Sequence, residues 1–380
     1  MLYPGLHRLS SIVGLSYAVG METSDTDSHA LTLADLGWRH FFMQQLDADE
    51  LSTCVPARVL TVHRNALHVA GEDLDASIPP FSDGREDGLG RATVGDWLLL
   101  GEDRTHAVRF LERHSLFKRR APGEGRQTQL IAANIDTLFI MTSCNKDFNV
   151  ARLERYLALA SDAEVKPVIV PTKADLADTP EDFERDASKL MPSLCVEVLD
   201  ARDRDQAARL LPWCAKGQTV AFVGSSGVGK STLINTLLDA SQIETQGIRE
   251  DDARGRHTTT HREMHRLGAG GWLLDTPGMR ELQLTDVHSG IEEVFSDISE
   301  LAGACRFNDC QHETEPGCAV HAAIEAGEVD SNRLRRWKKL VAEEAHNSAS
   351  LAERHAKDRS FGKMVKDAME AKSAKSSHNR

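Results

Sequence analysis

Gly224-Ser225-Ser226-Gly227-Val228-Gly229-Lys230-Ser231 has the spacing of a phosphate-binding loop, GxxxxGK followed by a hydroxyl residue. The glycines let backbone N–H groups turn inward around phosphate oxygens, and the helix that follows adds its partial positive charge. In this reading Lys230 reaches the β- and γ-phosphates as the catalytic cation. The Ser231 hydroxyl ligates Mg²⁺, and Thr232 completes the cofactor-binding run. The flanking residues supply the required setting: QTVAFVG (218–224) reads as a buried strand and KSTLINTLL (230–238) as a helix.

A phosphate loop specifies a nucleoside triphosphate and not its base. Thr172-Lys173-Ala174-Asp175 follows the apolar strand KPVIVPT (166–172), at the carboxyl end where ligands bind in open parallel sheets. An Asp175 carboxylate can accept from guanine N1–H and N2–H₂ together; adenine offers no such pair. Lys173 would lie along the base plane. Thr172 stands where Asn is usual and keeps one hydroxyl for a polar contact. Asp275-Thr276-Pro277-Gly278 fits DxxG at the end of the strand WLLDTPG (272–278). There Asp275 would hold Mg²⁺ through water and the Gly278 N–H would meet the γ-phosphate. Between the two lies Gly255-Arg256-His257-Thr258-Thr259-Thr260, and Thr259 is the threonine expected to complete Mg²⁺ coordination.

Cys305-x4-Cys310-x-His312-x5-Cys318 provides three thiolates and an imidazole, with His321 as an alternative ligand. Four N/S donors with no open position describe a closed structural Zn²⁺ site. Cys54, Cys144, Cys195 and Cys214 are scattered, and an odd total of seven cysteines does not suit a secreted disulfide framework.

The elements that must position these groups fall into a multidomain pattern. Residues 1–33 lack periodicity and read as a disordered extension. Their LSSIVGLSYAV run (9–19) is broken by Ser and Gly and lacks a cleavage site, so translation beginning at Met21 fits better than secretion. In 34–116, short alternating runs such as CVPARVLTV (54–62), ALHVA (66–70) and GDWLLL (95–100) predict an OB-like β-barrel. In 117–285, buried strands such as NIDTLFIMTS (134–143) alternate with helices such as VARLERYLALA (150–160), which predicts an α/β domain with a parallel sheet covered on both faces. Residues 286–350 read as a mainly helical zinc-binding domain and 351–380 as a basic, flexible tail. No stretch of 18 apolar residues exists, which excludes a transmembrane helix and a membrane partner of that kind.

The 380 residues carry 45 Lys/Arg against 58 Asp/Glu, a net charge of −13, so any nucleic-acid contact must be local. Two basic clusters could meet RNA phosphates: Lys118, Arg119, Arg120 and Arg126, and then Arg333, Arg335, Arg336, Lys338 and Lys339 around Trp337. A solvated basic helix is the competing reading of each. No heptad seam is present, so a monomer is expected.

Ordinary GTPases run phosphate loop, switch threonine, DxxG, then NKxD. This chain runs TKAD, GSSGVGKS, GRHTTT, DTPG, as a circularly permuted domain would. With the barrel in front and the Cys/His cluster behind, residues 34–340 resemble the circularly permuted small-subunit-dependent GTPases of bacterial ribosome assembly. The resemblance implies an OB-fold, a permuted GTPase domain and a zinc domain whose ligands have this same spacing. It also implies cytoplasmic binding to the 30S subunit and its 16S rRNA during late maturation, with hydrolysis stimulated by that particle and nucleotide-dependent release. A P-loop ATPase or kinase is disfavoured by TKAD and DTPG. A non-hydrolysing RNA-binding assembly factor, with GTP as a conformational ligand only, is the alternative.

The residue after DxxG, often a water-orienting Gln, is Met279, which cannot orient water. His257, in the switch segment, is the polar substitute, and the resembling family carries a histidine before its threonine run. His257→Ala is therefore expected to abolish particle-stimulated turnover while leaving nucleotide binding near normal; unchanged stimulated turnover would remove the assignment.

Overall fold

A computed structural model of the chain describes residues 31–85, 89–120, 128–238, 262–275, 284 and 287–348. After the short helices α1 (His40–Met43) and α2 (Glu50–Thr53) come β1 (Val55–Val62), β2 (Leu67–Gly71), β3 (Leu74–Ile78), β4 (Trp97–Leu100) and β5 (Ala107–Phe110). These pair antiparallel in the order β3-β2-β1-β4-β5. Ala57, Val59, Leu67, Val69, Ile78, Leu98 and Leu100 form their shared core. The ladders do not by themselves confirm the OB-like barrel expected from the sequence: among the described residues none joins β3 to β5. At a register shift between Val59 and Thr61, the edge of β1 opposite β2 exchanges β4 for a strand of the next sheet.

β6 (Leu116–Arg120) and β7 (Thr128–Ala133) form a separate antiparallel pair. The chain continues through β8 (Thr137–Ser143), α3 (Val150–Asp162), β9 (Lys166–Thr172), α4 (Pro180–Ser188), β10 (Cys195–Val196), α5 (Arg204–Ala207), β11 (Thr219–Gly224) and α6 (Lys230–Leu237). Next come β12 (Arg262–Arg266) and β13 (Trp272–Asp275). The order β10-β9-β8-β11-β13 is all parallel, and β12 lies antiparallel between β13 and β1, so both sheets are hydrogen-bonded into one. The CVEVL strand is shorter than its apolar run suggests, although the N–H groups of Glu197 and Leu199 still reach the carbonyls of Ile169 and Pro171.

The parallel strands read as continuous apolar runs because both faces are covered. Leu138, Ile140, Ala221 and Val223 point into a core shared with α3, while Phe139, Met141, Val220 and Phe222 point into one shared with α6. The chain steps outward from β8 to β9 and β10, then returns to the other side of β8 for β11. That reversal opens a crevice at the carboxyl ends of β8 and β11.

Arg58 of β1, only 2% exposed, fastens the antiparallel sheet to the parallel one. Its guanidinium donates to the carbonyls of Leu36 and Asn134 and, at 2.8 Å, to Thr219 Oγ1, and it lies over the Trp97 ring. Burial lowers its pKa to about 10.

Helices α7 (His288–Val294), α8 (Ser296–Gly303), α9 (Ala319–Glu325) and α10 (Ser331–Ser348) follow. α3 begins at an Asn149 cap whose side chain accepts from the Arg152 N–H at 3.0 Å. α7 packs so closely on it that a Cβ at Gly290 would lie 2.0 Å from the Ala158 carbonyl. On α3, fully buried Glu154 accepts from Arg336 at 2.7 Å and Arg333 at 3.3 Å, while Arg155 pairs with Glu343 at 2.6 Å. Burial pushes the Glu154 carboxyl upward against the pull of the two guanidiniums. Glu154→Ala should destabilise the chain by about 2 to 3 kcal/mol; a fully buried pair would cost more, but Arg333 keeps Asp297 as a partner. Urea unfolding followed in α10 checks this, and an unchanged midpoint would contradict it.

Candidate functional site

β11 ends at Gly224, and the phosphate loop turns there into α6. Gly224, Gly227 and Gly229 have φ of +147°, +78° and +91°, conformations that favour glycine. A Cβ on Gly224 would lie 2.4 Å from the Met141 carbonyl of β8. Val228 is buried, whereas Ser226, Gly227 and Thr232 are exposed and Ser225, Gly229 and Ser231 half-buried. Lys230 is 9% exposed, and its ammonium donates to the Gly224 carbonyl at 2.8 Å and to the Ser225 carbonyl. The cation is thus held over the concave face of its own loop, where the dipole of α6 adds to its field.

The TKAD segment lies against this loop. Thr172, the last residue of β9, is fully buried. Its Oγ1 lies 2.9 Å from the Thr142 carbonyl of β8 and 2.6 Å from the Val228 carbonyl of the phosphate loop. The hydroxyl therefore ties the loop to the sheet. Lys173 is left-handed at φ +58°, and Asp175 sits in the single 3₁₀ turn that follows. The carboxylate of Asp175 is paired with Arg202 at 2.7 Å. Ala201 completes the wall: a Cβ at Gly229 would be 3.6 Å from Ala201 Cβ and 3.7 Å from Thr172 Oγ1.

Two arginines of this site are not marked by sequence spacing. Arg152, in the first turn of α3, donates to the Ser225 hydroxyl in the phosphate loop, 73 residues later in the chain. Arg202 follows the β10 segment and meets Asp175. The available signal was positional: both stand just beyond the carboxyl ends of parallel strands, where such sheets bind ligands.

Asp275 ends β13, whose register places Leu274 beside Ala221 of β11, so the backbone of this strand runs next to the phosphate-loop strand. His257, Thr259 and Gly278 lie outside the described residues, as does Met279.

The second cluster forms between α8 and α9. The ligand atoms of Cys305, Cys310, His312 and Cys318 all lie within 4.8 Å of one another. Cys305 Sγ is 3.9 Å from Cys318 Sγ, and His312 Nδ1 is 3.6 and 3.4 Å from those two sulfurs. A tetrahedron with Zn–S bonds of ~2.3 Å has edges of about 3.8 Å, so three thiolates and one imidazole here suit a closed Zn²⁺ site. His312 holds a left-handed φ of +54°. Its carbonyl accepts from Lys338 at 3.0 Å and lies 3.0 Å from His321 Nε2. His321, the alternative ligand, is therefore turned onto the His312 backbone, and its own N–H donates to Cys318 Sγ at 3.4 Å. Burial raises the Cys305 thiol, but the N–H groups of Ala319 and Val320 outweigh it and lower its pKa.

The basic cluster of α10 is largely spent inside the protein. Arg333 and Arg336 hold Glu154, and Lys338 holds His312, which leaves Arg335 and Lys339 as the exposed members. Of the first cluster, Lys118 and Arg119 lie half-exposed on β6, with Arg119 donating to Gln129 at 2.9 Å. The Arg120 side chain and Arg126 lie outside the described residues.

Comparison with known proteins adds the family. The family model described as RsgA GTPase matches residues 110–285. The chain is 49% identical over 340 residues to small ribosomal subunit biogenesis GTPase RsgA 2 of Vibrio parahaemolyticus, covering 90% of this chain and 93% of that protein. It is 50% identical over 323 residues to small ribosomal subunit biogenesis GTPase RsgA of Mesorhizobium japonicum, covering 83% and 91%. The fold is shared with YjeQ from Thermotoga maritima (TM-score 0.56, 24% identity, 76% of this chain and 98% of that one). It is shared too with YloQ, described as a circularly permuted GTPase (TM-score 0.54, 23% identity, 78% and 97%). The motif order on this sheet is that of a circular permutation, and the extent and level of identity settle the assignment: the chain belongs to the RsgA GTPase family.

Proposed function

We propose that this chain hydrolyses GTP on the small ribosomal subunit during late maturation, and that the particle stimulates turnover and is released according to nucleotide state. The observation that carries this reading is the adjacency of phosphate loop and TKAD, joined through the Thr172 hydroxyl, in a chain whose relatives are named for small-subunit biogenesis. Backbone N–H groups from Gly224 to Gly229 cradle the phosphates, Lys230 neutralises the charge that develops on them, and Asp175 reads guanine. Arg152 adds a second cation beside the loop. Ser231, Thr259 and Asp275 are the residues that would hold Mg²⁺, which would supply positive charge to neutralise the phosphates. His257 orients the attacking water.

In the same reading, Cys305, Cys310, His312 and Cys318 hold one structural Zn²⁺ that fixes the loop between α8 and α9. β1–β5 serve as an OB-like module within residues 34–116. Residues 117–285 are the GTPase domain and 286–350 the zinc-binding domain. Lys118, Arg119, Arg335 and Lys339 offer charge to 16S rRNA. The protein acts as a cytoplasmic monomer; no described helix is long and apolar enough to cross a membrane.

Co-sedimentation with purified 30S and 50S subunits tests the partner. Binding to 30S is expected with a non-hydrolysable GTP analogue, weakening with GDP and falling as salt rises, because phosphate contacts release counterions. Equal binding to 50S, or none to either particle, would contradict the proposal.

A further inference from the structure

The carboxylate assigned to guanine already has a partner. Arg202 donates to Asp175 Oδ2 at 2.7 Å, and the same nitrogen donates to Asp200 Oδ2 at 2.9 Å. Arg202 Nε reaches Asp200 Oδ1 at 3.1 Å, and the Arg202 backbone N–H reaches it at 3.0 Å. One guanidinium therefore bridges two carboxylates but is anchored on Asp200, with a single bond extended to Asp175. Guanine needs both oxygens of Asp175, one for N1–H and one for N2–H₂. The Arg202 contact occupies one of them.

We propose that Arg202 sets how strongly Asp175 selects guanine: without nucleotide it holds the base-reading edge of Asp175, and on guanine entry it withdraws onto Asp200. This rests on the reading of Asp175 as the guanine acceptor. Withdrawal is geometrically simple, because the Asp200 contacts survive when the Asp175 bond breaks. Its cost is small, since the Arg202 side chain is 67% exposed and exposed ion pairs are weak. An adenine nucleotide gains nothing from a freed Asp175, so Arg202 acts on guanine binding alone. Asp200 is the release partner: without its charge, Arg202 would rest more fully on Asp175.

Stopped-flow binding of fluorescent GDP and ADP to the full chain tests this. Arg202→Gln is expected to speed GDP association and tighten GDP binding about two- to five-fold, the range open to an exposed pair, while leaving ADP binding unchanged. Asp200→Asn is expected to weaken GDP binding about two-fold, again without effect on ADP. A residue that only stiffened the loop would move both nucleotides together. Unchanged or weaker GDP binding by Arg202→Gln would overturn the proposal. Asp175→Ala separates the two levels. If its preference for GDP over ADP survives, the base-reading assignment fails and the proposal falls with it. If that preference is lost while Arg202→Gln is neutral, the Arg202 proposal alone fails.

Discussion

Everything at the candidate active site depends on how closely the phosphate loop is seated on the sheet. Gly224 must pass the Met141 carbonyl at a distance that no β-carbon allows. The loop is then fixed on its far side by the Thr172 hydroxyl at the Val228 carbonyl. These contacts make β8, β9 and β11 a single rigid bed. A phosphate cradle works only if its N–H groups stay aimed, and such preorganisation is the largest source of stabilisation available to phosphoryl transfer. The same hydroxyl joins the part of the chain that holds phosphate to the part that reads the base, although the permuted order separates them by about fifty residues.

α3 extends this bed to the C-terminal unit. Its first turn touches the phosphate loop through Arg152, while Glu154 and Arg155 hold α10. α10 in turn supports the Cys/His cluster through Lys338. The Cys/His cluster is thus linked to the candidate nucleotide site by packed, charged contacts, and not only by the chain that leaves β13. Permutation supplies the covalent link, and α3 supplies one that the sequence order does not require.

Local features were the legible ones. The phosphate loop declares itself because its backbone demands glycine at fixed offsets between strand and helix. The Cys/His cluster does so because all four donors fall within fourteen residues. Long-range pairing was opaque. Arg333, Arg336 and Lys338 read as a surface run because nothing local announces that Glu154, far earlier in the chain, is buried beneath two of them. Arg152 and Arg202 were silent for the same reason: their partners lie 73 and 27 residues away. The pairing of the short strands was opaque too, because alternation specifies strands and not their partners: one edge of β1 pairs with β4 and then with β12. Thr172 was expected to keep one hydroxyl for a polar contact, and only the fold shows its partners, the Thr142 and Val228 carbonyls.

In the proposed function, this permuted site hydrolyses GTP under the control of the small ribosomal subunit. The most direct measurement is the GTP hydrolysis rate of the purified full chain alone, with 30S subunits and with 50S subunits. A slow rate alone, raised severalfold or more by 30S only, is the predicted result. A rate that neither particle changes would contradict the account and leave a permuted protein that uses GTP as a conformational ligand.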